Sequence, residues 1–196
     1  MFCGEQERDN AQRRYKSKVE QLKKLLGRTD ELKAHTLPPK YRDKLFSVLK
    51  DCYSFSTTVN VHQLYEYVVK GEDDITRYKD HILCKVIREQ IRVLISNKII
   101  RPTISTAVKV NIDMQPTASN GFYNCHDAIE RELFEKTKRY DAILQAIGCV
   151  EVNYRDSARD YLIQSSDILA NRIWNAHTRR KPILLNIAKH CSLREP

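Results

Sequence analysis

The stretch Glu151–Trp174, EVNYRDSARDYLIQSSDILANRIW, decides the reading of this chain. Val150, Val152 and Tyr154 alternate with Glu151, Asn153 and Arg155, the two-residue period of a half-buried strand. Asp156-Ser157 breaks the run. Leu162, Ile163, Ala170, Ile173 and Trp174 then recur at three- and four-residue spacing, the apolar stripe of a helix. The stretch therefore reads as strand, turn and helix. On that helix Asp160, Gln164, Asp167 and Asn171 fall in one column at about 100° per residue, bordering the apolar stripe. Such a column can be a solvated flank that hydrogen-bonds a neighbouring loop. It can also hold an acid at the rim of the core.

Three short motifs occur in order along the chain: Glu31-Leu32-Lys33 after the first long helix, Asp156-Ser157 after the late strand, and Gln164-Ser165-Ser166-Asp167 on the helix that follows. With these the sequence, from about Gly4 to Trp174, resembles an uncharacterised bacterial and phage family of ribonuclease-H-like fold. Members of that family open on an Asp-Glu-Ser-Gly strand, carry Glu-Leu-Lys after the first long helix, and end on a strand and a helix with Gln-x-x-Asp. The resemblance implies an α/β, ribonuclease-H-like domain with a central mixed sheet flanked by helices. Asp-Glu-Ser-Gly is missing here, so the N-terminal strand, which in such enzymes is central and holds a metal-binding carboxylate, is expected to be missing too. Either the start lies too far downstream or the chain is a shortened relative.

Composition bounds the alternatives. The 196 residues, 41% hydrophobic and 30% charged, suit one soluble globular domain spanning 1–196. No apolar run is long enough for a membrane span and the opening residues are too polar for a signal peptide, so a cytoplasmic protein without membrane contact is expected. Six scattered cysteines with no CxxC argue for reduced thiols over a zinc site. The 34 Lys and Arg against 25 Asp and Glu leave a net charge of +9, which favours a polyanion such as nucleic acid. With 5 glycines, and no GxSxG, HExxH or phosphate-binding loop, other enzyme classes find little support; a phosphatase shares carboxylate–metal chemistry and stays open, but nothing in the sequence selects it.

In chain order, Ala11, Tyr15, Val19, Leu22, Leu25 and Leu26 predict a helix over residues 5–27, with Gly27 as its stop. Its other face is basic, with Arg13, Arg14 and Lys24, followed by Arg28, so that 1–28 form a basic helix. That face is either solvated or a nucleic-acid contact. Pro38-Pro39 opens a second helix to about Cys52. Residues 55–62 read as a strand and 63–70 as a short helix. Gly71 to Asp74 suit a helix start, and residues 75–97 carry the longest helix. Val108, Val110, Ile112 and Met114 alternate with Lys109, Asn111 and Asp113, which reads as a strand. Residues 115–125 form a loop whose Phe122 and Tyr123 can stack on a base or anchor the loop. Residues 127–147 read as helical, with a break near Tyr140-Asp141. The tail, 178–196, is expected to be a helical extension, with a basic kink and a short closing helix at 183–191.

The resemblance implies a divalent-metal-dependent nuclease. Asp167, Asp113 and Glu31 would hold Mg²⁺ or Mn²⁺, hard cations that prefer oxygen ligands. Gln164 would orient a ligand or water, and Lys33 would contact phosphate, with Arg13, Arg14, Lys24 and Arg28 holding nucleic acid nearby. Without the family, Glu31 lies in an ordinary capped turn, and Asp113 closes a strand as turn chemistry often does. The alternative is a noncatalytic, shortened relative that binds nucleic acid or protein. Its exposed sheet edge would take a strand from a partner or drive self-association.

Overall fold

The computed structural model of the chain describes residues 2–64, 71–114, 125–135 and 146–195. The fold is mixed α/β. Its helices are α1 (Glu5–Leu26), α2 (Pro39–Leu49), α3 (Glu72–Ser96), α4 (Cys125–Glu130) and α5 (Tyr161–Thr178); its strands are β1 (Ser54–Val59), β2 (Thr106–Asp113), β3 (Ile147–Arg155) and β4 (His190–Glu195). The chain forms two compact units. The first comprises Met1–Ser54, Ile112–Met114 and Tyr154–His190, and the second comprises Phe55–Asn111, Gln115–Asn153 and Cys191–Pro196.

The first unit is built on α1, α2 and α5. Ala11, Tyr15, Val19 and Leu22 of α1 are buried, one face of a 3.6-residue repeat. Gly27 ends the helix with φ 63° and ψ 31°, the left-handed conformation that costs glycine least. Pro39 sits in the first turn of α2, where its missing N–H is no loss. The core joins Tyr15, Val19 and Leu22 to Leu32, Ala34, Leu37, Leu45 and Ile168, with Tyr41, Phe46 and Tyr161 packed against it. Across this core the Tyr161 hydroxyl of α5 donates to Glu20 of α1 at 2.7 Å.

Helix α5 is turned differently from the face its sequence suggests. Gln164, Ile168, Ile173, Asn175 and Ala176 are buried, whereas Trp174 is 59% exposed. Part of the polar column therefore faces inward. It can do so because its amides are hydrogen-bonded: Gln164 Nε2 donates to the Ser157 carbonyl at 2.8 Å, and Asn175 Nδ2 to the Asn171 carbonyl at 2.7 Å. Asp160 caps the helix, accepting from the N–H groups of Leu162 (2.9 Å) and Ile163 (3.3 Å).

In the second unit α3 starts on Glu72, Asp73 and Asp74 and buries Cys84, Ile87, Ile91 and Leu94. A π-helical turn, Arg131–Glu135, follows α4. Its buried Glu132 receives a 2.6 Å contact from Arg88 of α3, as a buried acid requires.

The strands pair as two two-stranded sheets, β1 with β4 and β2 with β3. The pairs are parallel. Lys109 meets Glu151 at 3.1 Å, and further along both strands the Met114 N–H donates to the Arg155 carbonyl at 2.9 Å. A single central mixed sheet is thus not what the described strands form. Half-burial along all of β1, and exposed residues in both β2 and β3, fit sheets covered on one side rather than a central strand covered on both.

The tail also differs from expectation. Residues 183–191 are not a closing helix: Pro182–Leu185 form a 3-10 turn and His190–Glu195 the strand β4. Arg180 (φ 49°) and Lys189 (φ 53°) take left-handed backbone that no helix continues through. Of the residues expected as helix at 127–147, those described before Ile147 are helical, and β3 begins at Ile147. The short helix expected at 63–70, the loop at 115–125 and the break at Tyr140-Asp141 lie wholly or mostly outside the described residues.

Candidate functional site

From Glu31 to Ala34, where the 3-10 turn Ala34–Thr36 begins, burial alternates along the chain. Leu32 and Ala34 point into the core at 3% and 0% exposure, leaving Glu31 half-buried and Lys33 exposed. Burying Ala34 takes its backbone N–H from water, and that donor needs a partner. Asp167 supplies it: Oδ2 accepts the Ala34 N–H at 2.8 Å. The Glu-Leu-Lys segment and the Gln-x-x-Asp helix are thereby tied together.

Beneath them lies Tyr15, 1% exposed. Burial first, and then the negative charges of Asp167 and Glu31, push its hydroxyl well above the ordinary phenol range. Two carboxylates far apart in sequence therefore act on one buried hydroxyl. Asp167 keeps Oδ1 free of protein donors among the described residues.

The other expected site residues are placed differently. Gln164 is buried and holds the Ser157 and Ala158 carbonyls, so it fixes the turn before α5. Asp113 is half-buried at the end of β2, and among the described residues it shares no hydrogen bond or ion pair with Asp167 or Glu31. His126, Asp127 and Glu130 of α4 bring ligand atoms within 4.8 Å of one another, a grouping that includes none of the three expected acids.

Of the expected phosphate contacts, Arg28 is engaged by Asp30 through two bonds, Nε to Oδ1 at 3.0 Å and Nη2 to Oδ2 at 2.5 Å. That carboxylate is held below its usual range by the Arg28 hydrogen bond. Arg13 is exposed and bonds Asn10 Oδ1 at 2.7 Å. Arg14, Lys24 and Lys33 are exposed and have no ion pair among the described residues. Lys24, Lys23 and Arg28 border an open groove of about 430 Å³ at the end of α1.

Sequence reasoning passed over Tyr15, taken as one more core position, and Asn175. The signal for Asn175 was present: one further helical step beyond Asp167 and Asn171 reaches it.

Comparison of the chain with protein-family models, with curated proteins and with solved structures finds no match.

Proposed function

We propose that the chain is a ribonuclease-H-like, divalent-metal-dependent nuclease acting on a nucleic-acid phosphodiester. The observation that carries the reading is the 2.8 Å bond from the Ala34 N–H to Asp167, which ties together the two motifs that the family resemblance singles out. Bound Mg²⁺ or Mn²⁺ would supply charge stabilisation and an activated water. Glu31 and Asp167 would hold the ion, and the Ala34 N–H fixes the Asp167 carboxylate for that task. Lys33, exposed beside them, would contact a substrate phosphate. Asp113 is retained as a further ligand by resemblance alone. No helix among the described residues is long and apolar enough to cross a membrane. The same reading puts the protein in the cytoplasm, where its free thiols stay reduced.

The test is a panel of single- and double-stranded DNA, RNA and RNA–DNA hybrid, incubated with Mg²⁺ or Mn²⁺. Metal-dependent cleavage that Asp167→Asn removes supports the proposal. No cleavage of any substrate overturns it.

A second reading is noncatalytic nucleic-acid binding, favoured by the exposed cations Arg14, Lys24 and Lys33, which have no ion pair among the described residues. Each phosphate neutralised should contribute to a linear fall of log affinity with log salt. Binding of that kind without cleavage selects this reading. Because each described sheet has two strands, each also leaves edges for a donated strand or a second copy of the chain.

A further inference from the structure

We propose that the C-terminal half of α5 and the cleft beside it form a binding site for single-stranded nucleic acid. Trp174 stacks on an unpaired base, and Arg42, Arg179 and Lys181 hold backbone phosphates. Neither Glu31 nor Asp167 lines the cleft, whose volume is about 170 Å³.

Trp174 is the one tryptophan of the chain and is 59% exposed. Among the described residues its indole has no hydrogen bond and no cation over its ring. Singly exposed apolar residues are ordinary, so exposure alone carries nothing. Position separates this one. Trp174 lies three residues from Asn171 and seven from Asp167, and at about 100° per residue all three share one side of α5. Asn171 also lines the cleft, so the indole and the cleft meet at neighbouring helix positions.

The charge around this position has one sign. From Ile168 to His190 the chain carries Arg172, Arg179, Arg180, Lys181 and Lys189 and no acid. Arg172 forms a fixed wall of the cleft: it lies 4.1 Å over the Phe46 ring and pairs with Asp43 at 3.0 Å, which takes up its charge. Arg42, Arg179 and Lys181 line the same cleft and have no ion pair among the described residues. Arg42 spends one bond on Asn171 Oδ1, at 2.5 Å, which holds its guanidinium at the cleft and leaves its other N–H donors available.

Single-strand recognition combines an aromatic face, on which any base can stack, with cations that follow the backbone. Both lie side by side here. In a duplex the faces of each base are covered by its neighbours, so an indole held at the surface takes an unpaired base. An internal phosphodiester needs no donor of its own, and the guanidinium and ammonium groups supply the N–H donors it accepts. Trp174 lies about 10 Å along α5 from Asp167, roughly three nucleotides of stacked strand at about 3.4 Å each. This continuation to Asp167 rests on the nuclease reading, and makes Trp174 a positioning contact a few nucleotides from the bond cut.

The sole tryptophan is its own probe. With divalent metal chelated and tyrosine left unexcited, single-stranded oligothymidylate should quench Trp174 emission, and its duplex with oligodeoxyadenylate should not. Trp174→Ala should weaken binding of the labelled single strand, read by fluorescence anisotropy, at least about fivefold, and Trp174→Phe should restore most of that loss. Arg179→Gln/Lys181→Gln should lower the slope of log affinity against log salt by about 0.7 for each phosphate contact removed. All of these variants alter exposed side chains and leave the core intact. No quenching by the single strand, equal quenching by the duplex, binding unchanged in Trp174→Ala, or a salt slope unchanged in the double variant overturns the proposal. So does a blue shift on phosphatidylserine vesicles without quenching by the strand, which assigns the face to a lipid surface. Quenching without cleavage in Mg²⁺ or Mn²⁺ overturns the nuclease reading alone; cleavage without quenching overturns this inference alone.

Discussion

Asp167 of α5 accepts a 2.8 Å hydrogen bond from the backbone N–H of Ala34, 133 residues earlier in the chain. The bond joins a buried donor to a carboxylate whose other oxygen has no protein donor among the described residues, so Asp167 serves the fold and the candidate site at once. Asp167→Ala leaves the Ala34 N–H unpaired in a fully buried position and should cost about 1–3 kcal/mol. Asp167→Asn keeps an acceptor oxygen and should cost distinctly less. Urea midpoints of the two variants check this, and equal losses would contradict it.

Tyr15 makes the same neighbourhood visible to pH. Its folded-state hydroxyl ionises at higher pH than in the unfolded chain, so its stabilising contribution is complete below the ordinary phenol value of about 10 and is lost as pH rises above it. Tyr15→Phe should flatten that part of the alkaline stability profile. A profile unchanged by the substitution would place the alkaline loss elsewhere.

His190 acts at the other end of the scale. Its Nδ1 lies 2.8 Å from Ser54 Oγ where β1 and β4 begin, and burial lowers its pKa. The unfolded chain therefore takes up the proton first, and stability should fall as pH drops below about 6.5. In His190→Gln the unfolding midpoint should depend less on pH between about 7 and 5.

Packing should divide two large apolar residues of the first unit sharply. Leu45 is fully buried, and Leu45→Ala should cost about 2–5 kcal/mol. Trp174, 59% exposed, should tolerate replacement by alanine within about 0.5 kcal/mol. Thermal melts of both variants provide the comparison.

The Trp174 contrast marks where local pattern stopped being informative. The α1 face, its Gly27 stop, the acidic start of α3 and the alternation in β2 depend on spacing and terminal chemistry within a few residues, and these are written in the sequence. The inward turn of α5 is not, because Gln164 and Asn175 become interior residues only once Ser157 and Asn171 supply their partners. Likewise Ile183, Leu184, Ile187 and Cys191 have helical spacing, yet the tail pairs with β1. Pairing with a strand so distant in sequence leaves no local periodic trace. In the candidate site, the ordered motifs pointed to Glu31 and Asp167 but held no sign of the buried tyrosine whose hydroxyl both charges bias, since a buried hydroxyl and a core ring occupy the same helical position.

The central claim is that Glu31 and Asp167 act as one metal site, and a double-mutant cycle on Mn²⁺ affinity tests it most directly. Wild type, Glu31→Gln, Asp167→Asn and the double variant would be titrated with Mn²⁺ and read by electron paramagnetic resonance. The account predicts that each single substitution weakens binding by about tenfold or more and that the double variant loses much less than the sum of the two. Additive losses, or Mn²⁺ affinity unchanged in both single variants, would contradict it.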